Sequence, residues 1–437
     1  VDSNKGAATA FTSPATLSAV LIGVGAASPG VEWRIGGVNF ANLCFLLAVV
    51  IMFVTSSRML LFYRLTMIDV AFALYIGSRA LLEAFNSADV GHGYRSDVIL
   101  QLVIYAAVFV ACRLMLMTGV DWKQVLRIIV FPAPAVALLG LLQTVKVPAA
   151  EDLVLSLTGF SPTQDTAGGL ARATSTVGHW TGLGAYLLVV LTALCLLAGE
   201  TAIDGRRLVF ALALVAGGIL STLTLAIITG AAFVALILLS RSASFRRRAV
   251  PIVALGAILT AFLSGPITAR LRQQFGYNPG AFAQRQGWLP ESLSYRIQIW
   301  ESQTLPVVSS RPWTGWGQGF YIEFRQWGAF PQWAVWPSAE SQWLLELVCG
   351  GIPQLVCLLL LIASIWRASA RASQESRRAV RVLMAVSIAS AFTVPIFTNA
   401  GYLGIALPLV ALVCERNWVA PSAFPKPFRG ERQVAAR

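Results

Sequence analysis

Between Pro266 and Glu340 the chain interleaves arginines with aromatic residues. Arg270, Arg272, Arg285, Arg296, Arg311 and Arg325 alternate with Trp288, Tyr295, Trp300, Trp313, Trp316, Tyr321, Trp327, Trp333 and Trp336. Flat aromatic faces suit the C–H faces of sugar rings, and guanidinium forks suit phosphate oxygens. Isolated carboxylates lie among them (Glu291, Glu301, Glu323, Glu340), and a carboxylate can take the proton of a sugar hydroxyl. The set suits an acceptor hydroxyl attacking a sugar that is already activated on a lipid pyrophosphate. Arginines would stabilise the departing pyrophosphate and one acid would collect the proton.

Other chemistries are poorly served. There is no nucleotide-cradling glycine loop, no HExxH and no GxSxG. His92 and His179 are the only histidines, which excludes a multi-histidine metal site, and the acids form no DxD-like pair. A metal-independent reaction without a cofactor is the expectation. Gly315, Gly317 and Gly319 superficially suggest a phosphate loop but lack a following Lys-Ser. They are read as letting the backbone turn tightly or approach a sugar closely.

The surrounding chain must position this stretch. It is 57% hydrophobic and only 12% charged, against about 25% charged in soluble domains. Repeated apolar runs make it an all-α polytopic membrane protein. Spans are expected near 8–28, 37–57, 66–85, 97–118, 124–144, 182–199, 207–223, 225–240, 248–265, 342–366, 378–397 and 400–416, about twelve in all. Pro132 and Pro134 should kink or break the fifth. The long loop is not lipid-facing and reads as an active-site cap. The domains are thus 1–265, about nine spans; 266–340, the loop; and 341–437, about three spans and a basic tail. A cytoplasmic N-terminus puts about two thirds of the 33 Lys and Arg inside. Both termini are then cytoplasmic and the loop lies outside. The net charge of +13 is explained by that orientation rather than by nucleic acid.

The six cysteines fall in or beside apolar runs without a CxxC pair and are expected to be free. No cleavable signal peptide is recognisable. The opening Val1-Asp2-Ser3-Asn4-Lys5, without Met, points to a processed or engineered start.

Three stretches resemble one family. Ser294-Tyr295-Arg296-Ile297-Gln298-Ile299-Trp300, followed by Arg311-Pro312-Trp313-Thr314-Gly315-Trp316-Gly317-Gln318-Gly319-Phe320, resembles a signature of the O-antigen ligase and Wzy-type polymerase superfamily. Ala339-Glu340-Ser341-Gln342-Trp343-Leu344-Leu345-Glu346-Leu347, with Gly350-Gly351-Ile352, is similar to that family's helix start. Arg172-Ala173-Thr174-Ser175-Thr176-Val177-Gly178-His179 resembles its segment before the sixth span. The resemblance implies a GT-C-like fold in the bacterial inner membrane, with the active site in the periplasm. It implies an undecaprenyl-pyrophosphate-linked oligosaccharide as donor, with polysaccharide-export or chain-length proteins as further candidate partners.

The departures are informative. The family's ligases carry a catalytic His where this chain has Glu340, which shifts the expectation from lipid A-core ligase toward glycan polymerase. A Ser-Arg-Gly turn common in the family is replaced by Leu223–Ala231, which has no arginine. Its role would pass to Arg172, Arg285 or Arg296. The candidate catalytic residues are therefore Glu340, Arg296 and Arg172. The candidate substrate-binding residues are Arg285, Arg311, His179, Trp300, Trp316 and Tyr321.

Each has a plainer alternative. Glu340 could cap the helix that follows, Arg296 could pair with Glu291 or Glu301, Arg172 could anchor at the interface, and Arg311 could serve loop geometry. Arg79 and Glu83, four residues apart, are expected to pair along one helix face. A ligase, a twelve-helix transporter and a non-catalytic export scaffold are the rival functions.

Overall fold

The computed structural model describes residues 13–35, 37–90, 93–159, 172–199, 205–240, 256–258, 260–261, 263–276, 288–320 and 339–414. Arg285, Tyr321, His92, Trp327, Trp333 and Trp336 lie outside them. The described chain is helical apart from a two-stranded hairpin, Arg34–Ile35 against Val38–Asn39.

The helices are α1 (Pro14–Ala27), α2 (Phe40–Thr55), α3 (Met67–Val90), α4 (Ser96–Met117), α5 (Trp122–Val130), α6 (Ala133–Thr144) and α7 (Pro148–Thr158). Then come α8 (Trp180–Gly199), α9 (Gly205–Ser221), α10 (Leu225–Leu239), α11 (Ser264–Phe275) and α12 (Glu291–Ile299). The last three are α13 (Gln342–Ser369), α14 (Gln374–Ser390) and α15 (Ala400–Cys414). Among the described residues, four stretches are long and apolar enough to cross a membrane: Ser96–Met117, Trp122–Thr144, Trp180–Gly199 and Gln342–Ser369. Shorter apolar helices accompany them at α1, α2, α10 and α15. All six cysteines are free.

α8 is the central post. It is apolar all round, as a helix without a solvent face must be, and it packs against α9, α10, α14, α15 and α5. α3 packs along α13 at the side of the bundle.

Several boundaries differ from expectation. The fifth span breaks at Phe131–Pro132 into α5 and α6, as its prolines require. The polar connection after it contains a helix, α7, started by Pro148 and stopped by Gly159 in the left-handed conformation. The span expected over 378–397 begins at Gln374, where Ser373 caps it, and ends at Ser390. Beyond that the chain turns through Thr393–Pro395. Most of the 248–265 span lies outside the described residues.

The other breaks have local causes. Pro306 cannot donate to Ser302 and crowds it, so α12 widens into a π turn over Trp300–Thr304 before continuing as Leu305–Ser310. In α13, Gly351 has φ 65° and Pro353 follows, so the helix is interrupted at Gly351. The carbonyls this frees are taken up by the preceding loop. Trp316 N donates to Val348 O (2.7 Å), Gly317 N to Cys349 O (2.9 Å), and Ile352 N returns to Pro312 O (2.8 Å). Gly315 and Gly317, with φ +64° and +94°, thus turn the backbone tightly against a broken helix.

A Cβ on Gly315 would lie 2.6 Å from Gly350 N, and its φ is +64°. Gly315→Ala is therefore expected to destabilise the protein by about 1–3 kcal/mol or more. A melting temperature of the purified variant equal to wild type would contradict that.

Candidate functional site

At one end of α8 the structure opens a cavity of about 550 Å³. Its walls come from six places in the chain. Arg172 precedes α8, and His179, Trp180 and Thr181 start it. Thr224, Leu225 and Ala226 begin α10; Arg270 and Gln274 lie on α11. Ser292, Leu293, Tyr295 and Arg296 lie on α12, Glu340 precedes α13, and Thr393–Pro395 join α14 to α15. Of the sequence candidates, the structure brings Arg172, His179, Arg296 and Glu340 together here.

Glu340 and Arg296 form the polar centre. Arg296 Nη2 is 2.9 Å from Glu340 Oε2, while Arg296 Nη1 donates to Ser292 O at 3.0 Å. The third nitrogen, Nε, is buried with no hydrogen-bond partner among the described residues. Neither Glu291 nor Glu301 is its partner. Glu340 is clamped on both sides. Trp300 Nε1 donates to Ala339 O (2.8 Å), Gln342 N to Ala391 O (2.8 Å), and Ser341 Oγ to Ala391 O (3.3 Å). Glu340 itself has φ +50°. Backbone held in that region costs roughly 1–3 kcal/mol and persists where surroundings over-determine it, as happens often at functional sites. Leu223 (φ 50°), next to the cavity residue Thr224, shares the strain, as does Ser175 (φ 46°).

Arg172 lies against the turn between α9 and α10. Its Nε donates to Thr222 O (3.2 Å) and its Nη2 to Thr224 Oγ1 (3.2 Å), and its guanidinium stacks on Trp180 at 4.6 Å. Leu223–Ala231, the segment without the family's arginine, is therefore the segment on which Arg172 rests. His179 stacks on Trp180 at 4.2 Å and its Nδ1 accepts from Thr181 N at 3.3 Å, so it caps the first turn of α8.

The cavity is short of counter-charge. Burial, then the guanidiniums of Arg270 and Arg296, push Arg172 down to about 9, with Glu340 opposing. Burial and Arg296 lower Arg270 as well. Burial, reinforced by the Glu340 charge, raises the Tyr295 hydroxyl to about 12, keeping it a neutral donor at physiological pH.

Other candidates lie elsewhere. Trp316 Nε1 donates to Val307 O (3.2 Å), and Arg311 stacks on Trp316 (4.4 Å) while pairing with Asp89 of α3 (2.5 Å). Trp300 is committed to Ala339. None of these three lines the cavity. Arg270 and Tyr295 stand among the loop's arginines and aromatics but not among the named site candidates, and Thr224 is in neither set. Their membership follows from where α11, α12 and the α9–α10 turn pack, for which no spacing rule exists.

Beside the cavity, α3 and α13 share a buried polar network. Tyr75, Arg79, Glu83 and Asn86 form one stripe of α3. Arg79 Nη2 meets Glu346 Oε1 at 2.6 Å, and Arg79 Nη1 meets Gln318 Oε1 at 3.0 Å. The expected Arg79–Glu83 pair along the helix is thus overturned, because Glu346 offers Arg79 a buried partner across the interface. Glu83 instead accepts from Gln318 N and Arg95 N. Tyr75 Oη (2.7 Å) and Gln342 Nε2 (2.6 Å) complete the shell of Glu346 Oε1, and Gln354 Nε2 binds its other oxygen.

Residues 208–359 match the family model described as O-Antigen ligase. The match covers about a third of the chain, from α9 into α13, and so contains Arg270, Arg296 and Glu340. Over this stretch it bears out the resemblance carried by the motifs. Arg172 and His179 fall before it. No curated protein matches the chain.

Proposed function

We propose, from that match over residues 208–359, that the chain is an integral membrane glycosyltransferase of surface-polysaccharide synthesis, acting as a polymerase. The donor is a glycan on undecaprenyl pyrophosphate, and the acceptor is a sugar hydroxyl of another lipid-linked repeat. In the proposed topology about twelve spans of GT-C type cross the bacterial inner membrane, both termini are cytoplasmic and the cavity faces the periplasm.

One observation carries the reading: a carboxylate, Glu340, held by an arginine in a cavity that contains two further arginines. The acceptor oxygen attacks the anomeric carbon as its proton passes to Glu340. The bond from that carbon to the phosphate oxygen breaks, and its electron pair leaves with the pyrophosphate. Arg296 and Arg172 neutralise the charge that develops there. Attack opposite the leaving group inverts the anomeric centre. Arg296 suits a double role, with Nη2 orienting the base and Nε unfilled for a phosphate oxygen.

The family's description favours a second reading, in which the acceptor is lipid A-core. A strain lacking the protein separates them. Loss of polymer with single repeats still reaching the surface supports the polymerase. Lipid-linked polymer accumulating with the core left bare supports the ligase. Neither phenotype, with solute flux in proteoliposomes, would sink both in favour of transport. No step needs a metal, so purified enzyme is expected to keep its rate in EDTA.

A further inference from the structure

Among the described residues, three guanidiniums border the cavity. Arg270 comes from α11, a helix that no sequence motif marks. It lines the same walls as Arg172 and Arg296. Its Nη1 donates to Gln273, but its Nε is buried with no hydrogen-bond partner among the described residues. An arginine whose nitrogen is desolvated and unfilled normally costs stability. Arg270 also sits where a second guanidinium, Arg296, repels it and only Glu291 offsets the charge.

Folds retain such like-charge groupings where a ligand of opposite charge completes them. Among the described residues, Glu340 in the wall and Glu291 facing Arg270 stand against the three arginines. Cations therefore outnumber anions at the site. A pyrophosphate diester carries about two negative charges, and one more develops when the sugar leaves, so it offsets that excess when bound and still more on departure.

We infer that Arg270 is a third pyrophosphate-binding residue, completing with Arg172 and Arg296 the set of cations that meets the donor's diphosphate. This rests on the glycosyltransferase reading above. It adds that the complement is tuned to the leaving group. Three cations grip the departing pyrophosphate more strongly than the ester, which favours the transition state over the bound donor. The same grip makes free pyrophosphate an inhibitor.

The test uses full-length protein in detergent, with inorganic pyrophosphate and inorganic phosphate as probes. Calorimetric titration and thermal melting are compared for wild type, Arg270→Gln and Arg270→Lys. Wild type is expected to bind pyrophosphate about tenfold or more tightly than Arg270→Gln. Arg270→Lys should fall between them, and phosphate binding should change less. Without ligand, Arg270→Gln should melt at or above the wild-type temperature, because a repelling charge is gone; a packing role would lower it.

Equal pyrophosphate affinity in wild type and Arg270→Gln would overturn the assignment of Arg270 and leave the glycosyltransferase reading standing. A lower melting temperature of unliganded Arg270→Gln would overturn it too, in favour of a structural role. Wild type that binds neither anion would remove the diphosphate site itself, and with it the wider reading.

Discussion

Glu340→Gln should leave the protein folded and able to bind pyrophosphate while transfer falls by about two to four orders of magnitude. The amide keeps the shape of the carboxylate and can still accept from Arg296 Nη2, now 2.9 Å from Glu340 Oε2. It cannot take a proton. The clamp from Trp300 and Ala391 uses no atom of the Glu340 side chain and would survive the change. Structure and chemistry are therefore separable at this residue. The measurement is turnover of lipid-linked repeat by purified protein, alongside the polymer ladder in the complemented deletion strain. A full ladder from Glu340→Gln would mean that Glu340 only shapes the start of α13 and that the base lies elsewhere.

The second large effect concerns stability. Glu346→Gln is expected to cost roughly 3–5 kcal/mol, because it leaves the Arg79 cation buried without an anion. Arg79 is 2% exposed and Glu346 fully buried, so water cannot take over. Replacing both, as Arg79→Met with Glu346→Gln, should recover part of the loss, since the uncompensated charge is gone. Thermal denaturation of the two single variants and the double variant gives the coupling. If Glu346→Gln melts like wild type, the pair is not what ties α3 to α13. Transfer by the surviving folded fraction should be near normal, unlike that of Glu340→Gln, which separates these two acids six positions apart.

The amino-acid sequence made much of this legible. Apolar runs located most helices within a few residues, because burial imposes composition directly. Pro132 announced the break in the fifth span for the same local reason. Arg172, Arg296 and Glu340 could be named because they stand in motifs, and they do converge on one cavity.

Partner choice was not legible. Arg79 has Glu83 one turn away, yet it bonds to a residue 267 positions distant, since only the packing of α3 on α13 brings Glu346 to it. Trp300 and Trp316 have the types that bind sugars, but their indole N–H groups face backbone carbonyls once the chain has folded. Arg270 had no motif to mark it. In each case the missing information is tertiary: which polar group a neighbouring element leaves open.

The interruption at Gly351 bears on how the protein is assembled. A helix entering the bilayer with the carbonyls of Val348 and Cys349 unpaired would carry polar groups that lipid cannot satisfy. Their donors, Trp316 and Gly317, precede α13 in the chain and so emerge from the ribosome first. In the proposed topology these donors must already have been translocated and be waiting at the far leaflet when α13 is inserted. The last step of biogenesis for this region is then a docking event between an exported segment and an incoming helix. Variants that delay export of residues 312–317 should strand α13 in a protease-sensitive intermediate, although no residue of α13 has changed.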